Sequence, residues 1–263
     1  MAARAIWKGV IRAGAIAVPV KLYSAVVERS VRFRLLHRTD LEPVKQKLVS
    51  AESDEPVEYA DVRKAYPLPR GRLVLLAKEE LAELQPKESR DIEITRFVDA
   101  GTIDHRWYER AYFLGPDGNQ KAYFAAAAAL AKKEKEGVAR WVMRGRESIG
   151  ALRAEGGYLL LIALRHAEEV IAADALPAPA GRALAKREID MASQLIDALH
   201  GKFDPSQYRD DYRARVMELV EAKAAGGKPK LKVFRPKRPP KSDAIADVLE
   251  ASLAGMKKRK AHG

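Results

Sequence analysis

The chain has 263 residues, 47% of them hydrophobic and 32% charged, a make-up that supports one large or two modest cores. It contains no cysteine, which excludes disulfides and thiolate metal sites and points to the cytosol. Its 48 Lys and Arg against 36 Asp and Glu leave a net charge of +12, the footprint of a polyanion binder, while its longest apolar runs, Ala125–Ala131 and Tyr158–Leu164, fall short of the roughly 20 residues that a bilayer requires.

The first ten residues, MAARAIWKGV, are basic without a continuous apolar stretch, so no export signal is expected. Ile16, Val18, Val20 and Leu22 then alternate with Lys21 on the other face, and Pro19 places this strand at an edge or bend. Val31 to His37, VRFRLLH, repeats the period: Val31, Phe33 and Leu35 on a face expected in a core, Arg32 and Arg34 on the opposite one. A rigid sheet carrying cations at fixed spacing suits regularly recurring phosphates, and Lys8 and Arg12 lie just upstream. The stretch up to about residue 76 alternates short β-like pieces with turn formers and is dense in cations: Arg38, Lys45, Lys47, Arg63, Lys64, Arg70 and Arg72. It has too few large apolar residues to bury both faces, which predicts an extended excursion from the body.

Lys78 to Leu84 reads as a short helix and Arg90 to Val98 as a strand. Asp104 can cap one helical turn through Trp107 and Tyr108, and Ala111 to Leu114 is a strand closed by Gly-Pro-Asp-Gly. Gln120 to Glu136, rich in alanine, is expected to be a helix capped by Gly137. Strands at Val138–Arg144, Ser148–Arg153 and Tyr158–Arg165 follow, the last apolar on both faces and therefore central.

After a linker at Leu176–Gly181 the pattern turns helical. Arg182 to His200 places Ala185, Ile189, Ala192, Ile196 and Leu199 on one face. Asp204-Pro205-Ser206-Gln207 combines the signals of a helix start, with Tyr208, Tyr212, Val216, Leu219 and Val220 on one face of a helix running to about Ala225. Two such helices pack either on their own body or on a second subunit. The tail from Lys228 to Gly263 holds eleven Lys and Arg against Asp243, Asp247 and Glu250, so most of the net charge lies there. Its proline spacing favours an extended, flexible segment, in which Ser242-Asp243 can cap a last short helix with a stripe of Ile245, Val248, Leu249 and Leu253.

Catalytic signatures are weak. The histidines at 37, 105, 166, 200 and 262 are scattered, no phosphate-binding glycine loop is present, and Asp91 with Glu93 is a common carboxylate pair that a Mg²⁺ nuclease would need to supplement. Glu221-Ala222-Lys223 sits on an amphipathic helix with no partner acid nearby in sequence. Binding is favoured over catalysis.

The segments ARAIWKGVIRAGAIAVPVKLYSAVVERSVRFRLLHRTD, GRLVLLAKEELAEL, IEITRFVDAGTIDHRWYERAYFLGP, KAYFAAAAALAKKEKEGVARWVMRGRESIGALR and IDMASQLIDALHGKFDPSQYRDDYRARVMELVEAK closely resemble, in one order, the bacterial Ku proteins. The resemblance implies a mixed α/β (α+β), β-dominated fold: a β-barrel core over residues 1–176, with an extended DNA-encircling bridge at about 38–72. C-terminal helices at 177–227 would serve dimer or ligase contacts, and a flexible, largely disordered basic tail would occupy 228–263. It implies a homodimeric ring that binds double-stranded DNA ends without sequence preference in non-homologous end joining, in the cytoplasm at the bacterial nucleoid, and recruits and stimulates ATP-dependent DNA ligase D. It implies no enzyme activity, cofactor, metal or membrane. The DNA-binding residues expected are Lys8, Arg12, Arg32, Arg34, Arg38, Lys45, Lys47, Arg63, Lys64, Arg70 and Arg72, with Lys228, Lys230, Lys232, Arg235, Lys237 and Arg238 in the tail. Many members carry a cysteine near the position of Ser50; its absence here removes any thiolate metal or redox role for that position. A nucleoid-compacting basic protein is the alternative, and a Mg²⁺ nuclease built on Asp91 and Glu93 a more distant one.

Overall fold

The structure, a computed structural model, describes residues 4–177 and 185–226. In chain order its elements are β1 (Trp7–Ala13), β2 (Ile16–Ser24), β3 (Lys64–Pro67), β4 (Leu73–Leu76), α1 (Lys78–Glu83), β5 (Asp91–Asp99), β6 (Tyr108–Pro116), α2 (Gln120–Lys133), β7 (Lys135–Met143), β8 (Arg146–Glu155), β9 (Tyr158–Leu164), α3 (Lys186–Leu199) and α4 (Asp211–Ala224).

Seven strands close into a barrel in the order β1-β2-β6-β9-β8-β7-β5. Every neighbour pair is antiparallel except β1 with β5, which run parallel over Val10–Arg12 and Asp91–Glu93 only. Closure leaves no long open edge for most strands. The period-2 residues Val18, Val20 and Leu22 of β2 point into the core, with Ile11, Ile92, Leu114, Trp141, Leu159 and Leu161 from the strands around them. Each fully buried Leu or Ile of this kind contributes roughly 1.5–3 kcal/mol. β9 lies between β6 and β8 and buries Leu159 to Ile162 on both faces, as its unbroken apolar run requires. The β8–β9 hairpin turns on Gly156 and Gly157, both at positive φ, which glycine adopts without a Cβ clash.

α2 lies across the barrel, touching β2, β7, β8 and β9. Its buried Tyr123 donates its hydroxyl hydrogen to the Leu114 carbonyl of β6 and accepts from the Leu159 N–H of β9 at 2.9 Å. One side chain thus satisfies two backbone groups of adjacent strands inside the core.

The chain divides into two units: the first runs to Ala175 except for Ser30–Arg32, which group with the second, beginning at Leu176. In the first unit, no residue from Val26 to Leu84 is buried. This excursion is built from tight turns. Val44 N–H donates to Leu35 and His37 N–H to Glu42, with Leu41 at positive φ; Val57 N–H donates to Leu48 and Ser50 N–H to Glu55, with Asp54 at positive φ. The β3–β4 hairpin closes it, and Arg70 at φ 64 and Gly71 form its tip.

Three expectations are corrected. Val31–His37 is not a strand with a face in a core: it joins no ladder beyond an isolated bridge from Leu36 to Pro43, and Phe33 and Leu35 are 64% and 66% exposed. Alternation reports an extended backbone; no layer of the described residues lies behind it. Pro19, by contrast, sits at a local edge as expected: it pairs with Val10 of β1, but the β2–β6 ladder begins only at Val20, so its missing N–H breaks no ladder bond there and its carbonyl accepts from Asp117 N–H. α2 ends at Lys133 with Glu134 in the left-handed conformation, because Lys135 and Glu136 already pair with Asp99 and Val98 of β5. Gly137 is instead a strand residue, where a Cβ would meet Ile94 and Phe97 at 3.2–3.3 Å. Finally, Asp204 caps only a single turn at Pro205–Gln207, and α4 starts later, its first turn bound by the Asp210 carboxylate.

Candidate nucleic-acid interface

Two cationic surfaces emerge in the first unit. On the outer face of the β1–β2 hairpin, Lys8 stands opposite Lys21 in register, and both reach Asp117, at 3.1 and 2.8 Å. Hydrogen bonds from Lys21 and then Lys8 hold the Asp117 carboxyl below its ordinary range, and the same contact raises Lys21. Arg12, further along the hairpin, binds Asp91 at 2.8 Å through Nε. All three cations remain partly exposed.

The second surface is the excursion. Arg34 precedes the first turn and Arg38 sits in it, Lys45 and Lys47 lie between the first and second turns, Arg63 and Lys64 enter β3, and Arg70 and Arg72 occupy the tip and far side of the last hairpin. All are exposed, and among the described residues none makes an ion pair. Only His37 is tied down, to Asp40 at 2.8 Å, whose carboxyl is lowered first by the Glu42 N–H and then by His37. Unpaired exposed cations keep their full charge for a partner. Arg32, also exposed, falls in the second unit. Lys228, Lys230, Lys232, Arg235, Lys237 and Arg238 lie outside the described residues, as do the rest of the tail and part of the linker.

The sequence reading did not single out Lys21, which joins Lys8 on the outer face of the hairpin. Its outward alternation was visible, but its position opposite Lys8 depends on hairpin register, and the Asp117 that joins them is far away in sequence. Arg110, on β6, reaches Ser24 Oγ at 3.4 Å with its guanidinium and lies over the Tyr112 ring.

Asp91 and Glu93 do not converge with other acids. Asp91 is engaged by Arg12, and among the described residues no group of three or more His, Asp or Glu is arranged to hold a metal ion. No helix of the described residues is long and apolar enough to cross a membrane.

The Ku70/Ku80 beta-barrel domain matches residues 12–191, a span from β1 into α3 that contains the whole excursion. The chain belongs to the Ku family. Its relatives include the non-homologous end joining protein Ku of Anaeromyxobacter sp. (strain K), 37% identical over 98% of this chain and 87% of that protein. Non-homologous end joining protein Ku 2 of Geotalea uraniireducens is 34% identical over 96% of this chain and 98% of its own length. The Mycobacterium tuberculosis Ku is 30% identical over 97% and 96% respectively. Against this Ku background the barrel is the shared frame, and the two cationic surfaces are what it displays.

Proposed function

We propose that the chain binds ends of double-stranded DNA without sequence preference, as a homodimeric ring in double-strand break repair by non-homologous end joining, and recruits ATP-dependent DNA ligase D. The observation that carries this reading is the excursion from Val26 to Leu84, which buries nothing yet holds unpaired cations on a frame of tight turns. A segment that exposes Phe33, Leu35, Val74 and Leu75 gains little from folding alone and is suited to being covered by a second copy and by DNA. Its Arg and Lys contact phosphates, which positions the duplex without reading bases.

Topology then supplies end specificity. A closed ring threads only from an end, slides freely on a backbone-only surface, and cannot leave a duplex whose ends are blocked. Lys8, Arg12 and Lys21 on the β1–β2 hairpin and Arg34, Arg38, Lys45, Lys47, Arg63, Lys64, Arg70 and Arg72 on the excursion contact the phosphates, and Arg32, in the second unit, adds a further cation. The basic tail adds sequence-independent affinity. The exposed stripe of Ile189, Ile196 and Leu199 on α3 serves the second subunit or the ligase. The reading assigns no residue a catalytic role.

The test is trapping. A duplex biotinylated at both ends is loaded with protein, capped with streptavidin and challenged with high salt. Protein retained on the capped duplex and lost from the uncapped one is expected; equal loss from both contradicts the ring.

A further inference from the structure

The barrel closes through only three residue pairs between β1 and β5, Val10–Asp91 to Arg12–Glu93. β1 then turns away at Ala13, while β5 continues to Asp99. From Thr95 onward, β5 pairs only with β7 among the described residues, so its other edge faces no strand. Beside that edge lies a cleft of about 340 Å³ between β5, the β1–β2 hairpin and α2, lined by Ile11, Ile16, Ile94, Phe97, Ala129 and Leu130.

Two features make the cleft more than a packing gap. The register of β5 shifts between Ile94 and Arg96, so Ile94 and Phe97, three residues apart, both face the cleft where a regular strand would oppose them. Ile16 and Phe97 are 61% and 54% exposed, although both belong to strands of the barrel. The alanines of α2 keep the opposite wall low, and Lys133 and Lys135 also line the cleft. Lys135 pairs with Asp99, whereas Lys133 makes no ion pair among the described residues, which leaves the site cationic.

We infer that this cleft is a peptide-docking site: an extended segment of a partner protein adds as a strand to the free edge of β5. One large apolar side chain of that segment enters the cleft, and acidic neighbours meet Lys133 and Lys135. Strand addition supplies backbone hydrogen bonds and the pocket supplies selectivity. The apolar lining selects the anchor residue, and the lysines select its flanks. The site uses none of the cations assigned to DNA, so it stands or falls separately from the DNA-end reading.

The experiment uses the full chain and a fluorescent peptide, Glu-Asp-Val-Phe-Val-Ile-Asp-Glu, followed by fluorescence polarisation. Saturable binding is expected. Two versions of the peptide, N-methylated at alternate residues in opposite phases, should differ: one phase binds and the other does not, because only one peptide edge faces β5. Ala129→Trp fills the cleft from an exposed helix position, and Lys133→Glu reverses its charge. Each should weaken the peptide about tenfold or more while leaving the melting temperature and linear-duplex binding unchanged. Absence of peptide binding, equal binding of both methylated phases, or wild-type affinity in both variants overturns the assignment. So does displacement of the peptide by duplex DNA, which would make the cleft a DNA contact, or a changed sedimentation coefficient of Ala129→Trp alone, which would make its occupant a second copy.

Discussion

Tyr123 joins α2 to the barrel through one backbone group of β6 and one of β9. Tyr123→Phe leaves the Leu159 N–H and the Leu114 carbonyl without that hydroxyl. A loss of about 2 kcal/mol in urea unfolding, with an unchanged denaturant slope, is the expected outcome. Gly150 is equally constrained: a Cβ there would lie 2.6 Å from the Ile162 carbonyl and 2.7 Å from the Trp141 ring. Because the carbonyl is part of β9, it cannot move aside, and Gly150→Ala should lower stability by about 1–3 kcal/mol. At Asp104, hydrogen bonds from the Arg106 side chain and then its N–H hold the carboxyl at about 2, below the ordinary 3.8. A depressed carboxyl contributes stability fully above its unfolded value and loses it as pH falls through its folded value. The stability difference between wild type and Asp104→Asn should therefore be constant above pH 3.8 and shrink as pH falls toward about 2, measured by denaturation at each pH.

At the scale of elements, Asp117 restrains two lysines of the β1–β2 hairpin, and Asp117→Asn releases both. If the hairpin faces DNA, log K for duplex binding should rise and its slope against log salt should steepen by up to about 1.8, roughly 0.9 for each phosphate gained. The combined change Lys45→Ala, Lys47→Ala, Arg63→Ala and Lys64→Ala should act in the opposite direction, flattening the slope by about 0.9 for each contact removed. Unchanged slopes in both variants would take the excursion and the hairpin off the DNA path. Much of the element layout was legible. β5, β9, α1 and α3 follow directly from apolar period and length, and the cationic excursion from its shortage of large apolar residues. What was not legible depends on distant partners. VRFRLLH alternates like a sheet strand, but alternation does not reveal whether a second layer exists. Gly137 resembles a helix cap until β5 arrives to pair with the residues before it. Asp204-Pro205 starts a single turn, and the longer helix begins at a second cap, Asp210. The tie between Lys8, Lys21 and Asp117 spans more than ninety residues of chain, and no local pattern announces it.

For the whole molecule, the family and the barrel set the frame, and the positive charge outside the barrel sets the partner. Removing the tail before Lys228 should weaken duplex binding and reduce its salt slope, and unchanged values for both would assign the tail another role. The central claim is end recognition by a threaded ring, and one competition tests it most directly. Labelled linear duplex is bound in moderate salt and challenged with unlabelled linear duplex or with nick-free circular plasmid at equal base-pair concentration. The account predicts that linear DNA competes and circles do not; equal competition by circles would contradict it and leave a basic protein that coats DNA wherever it meets it.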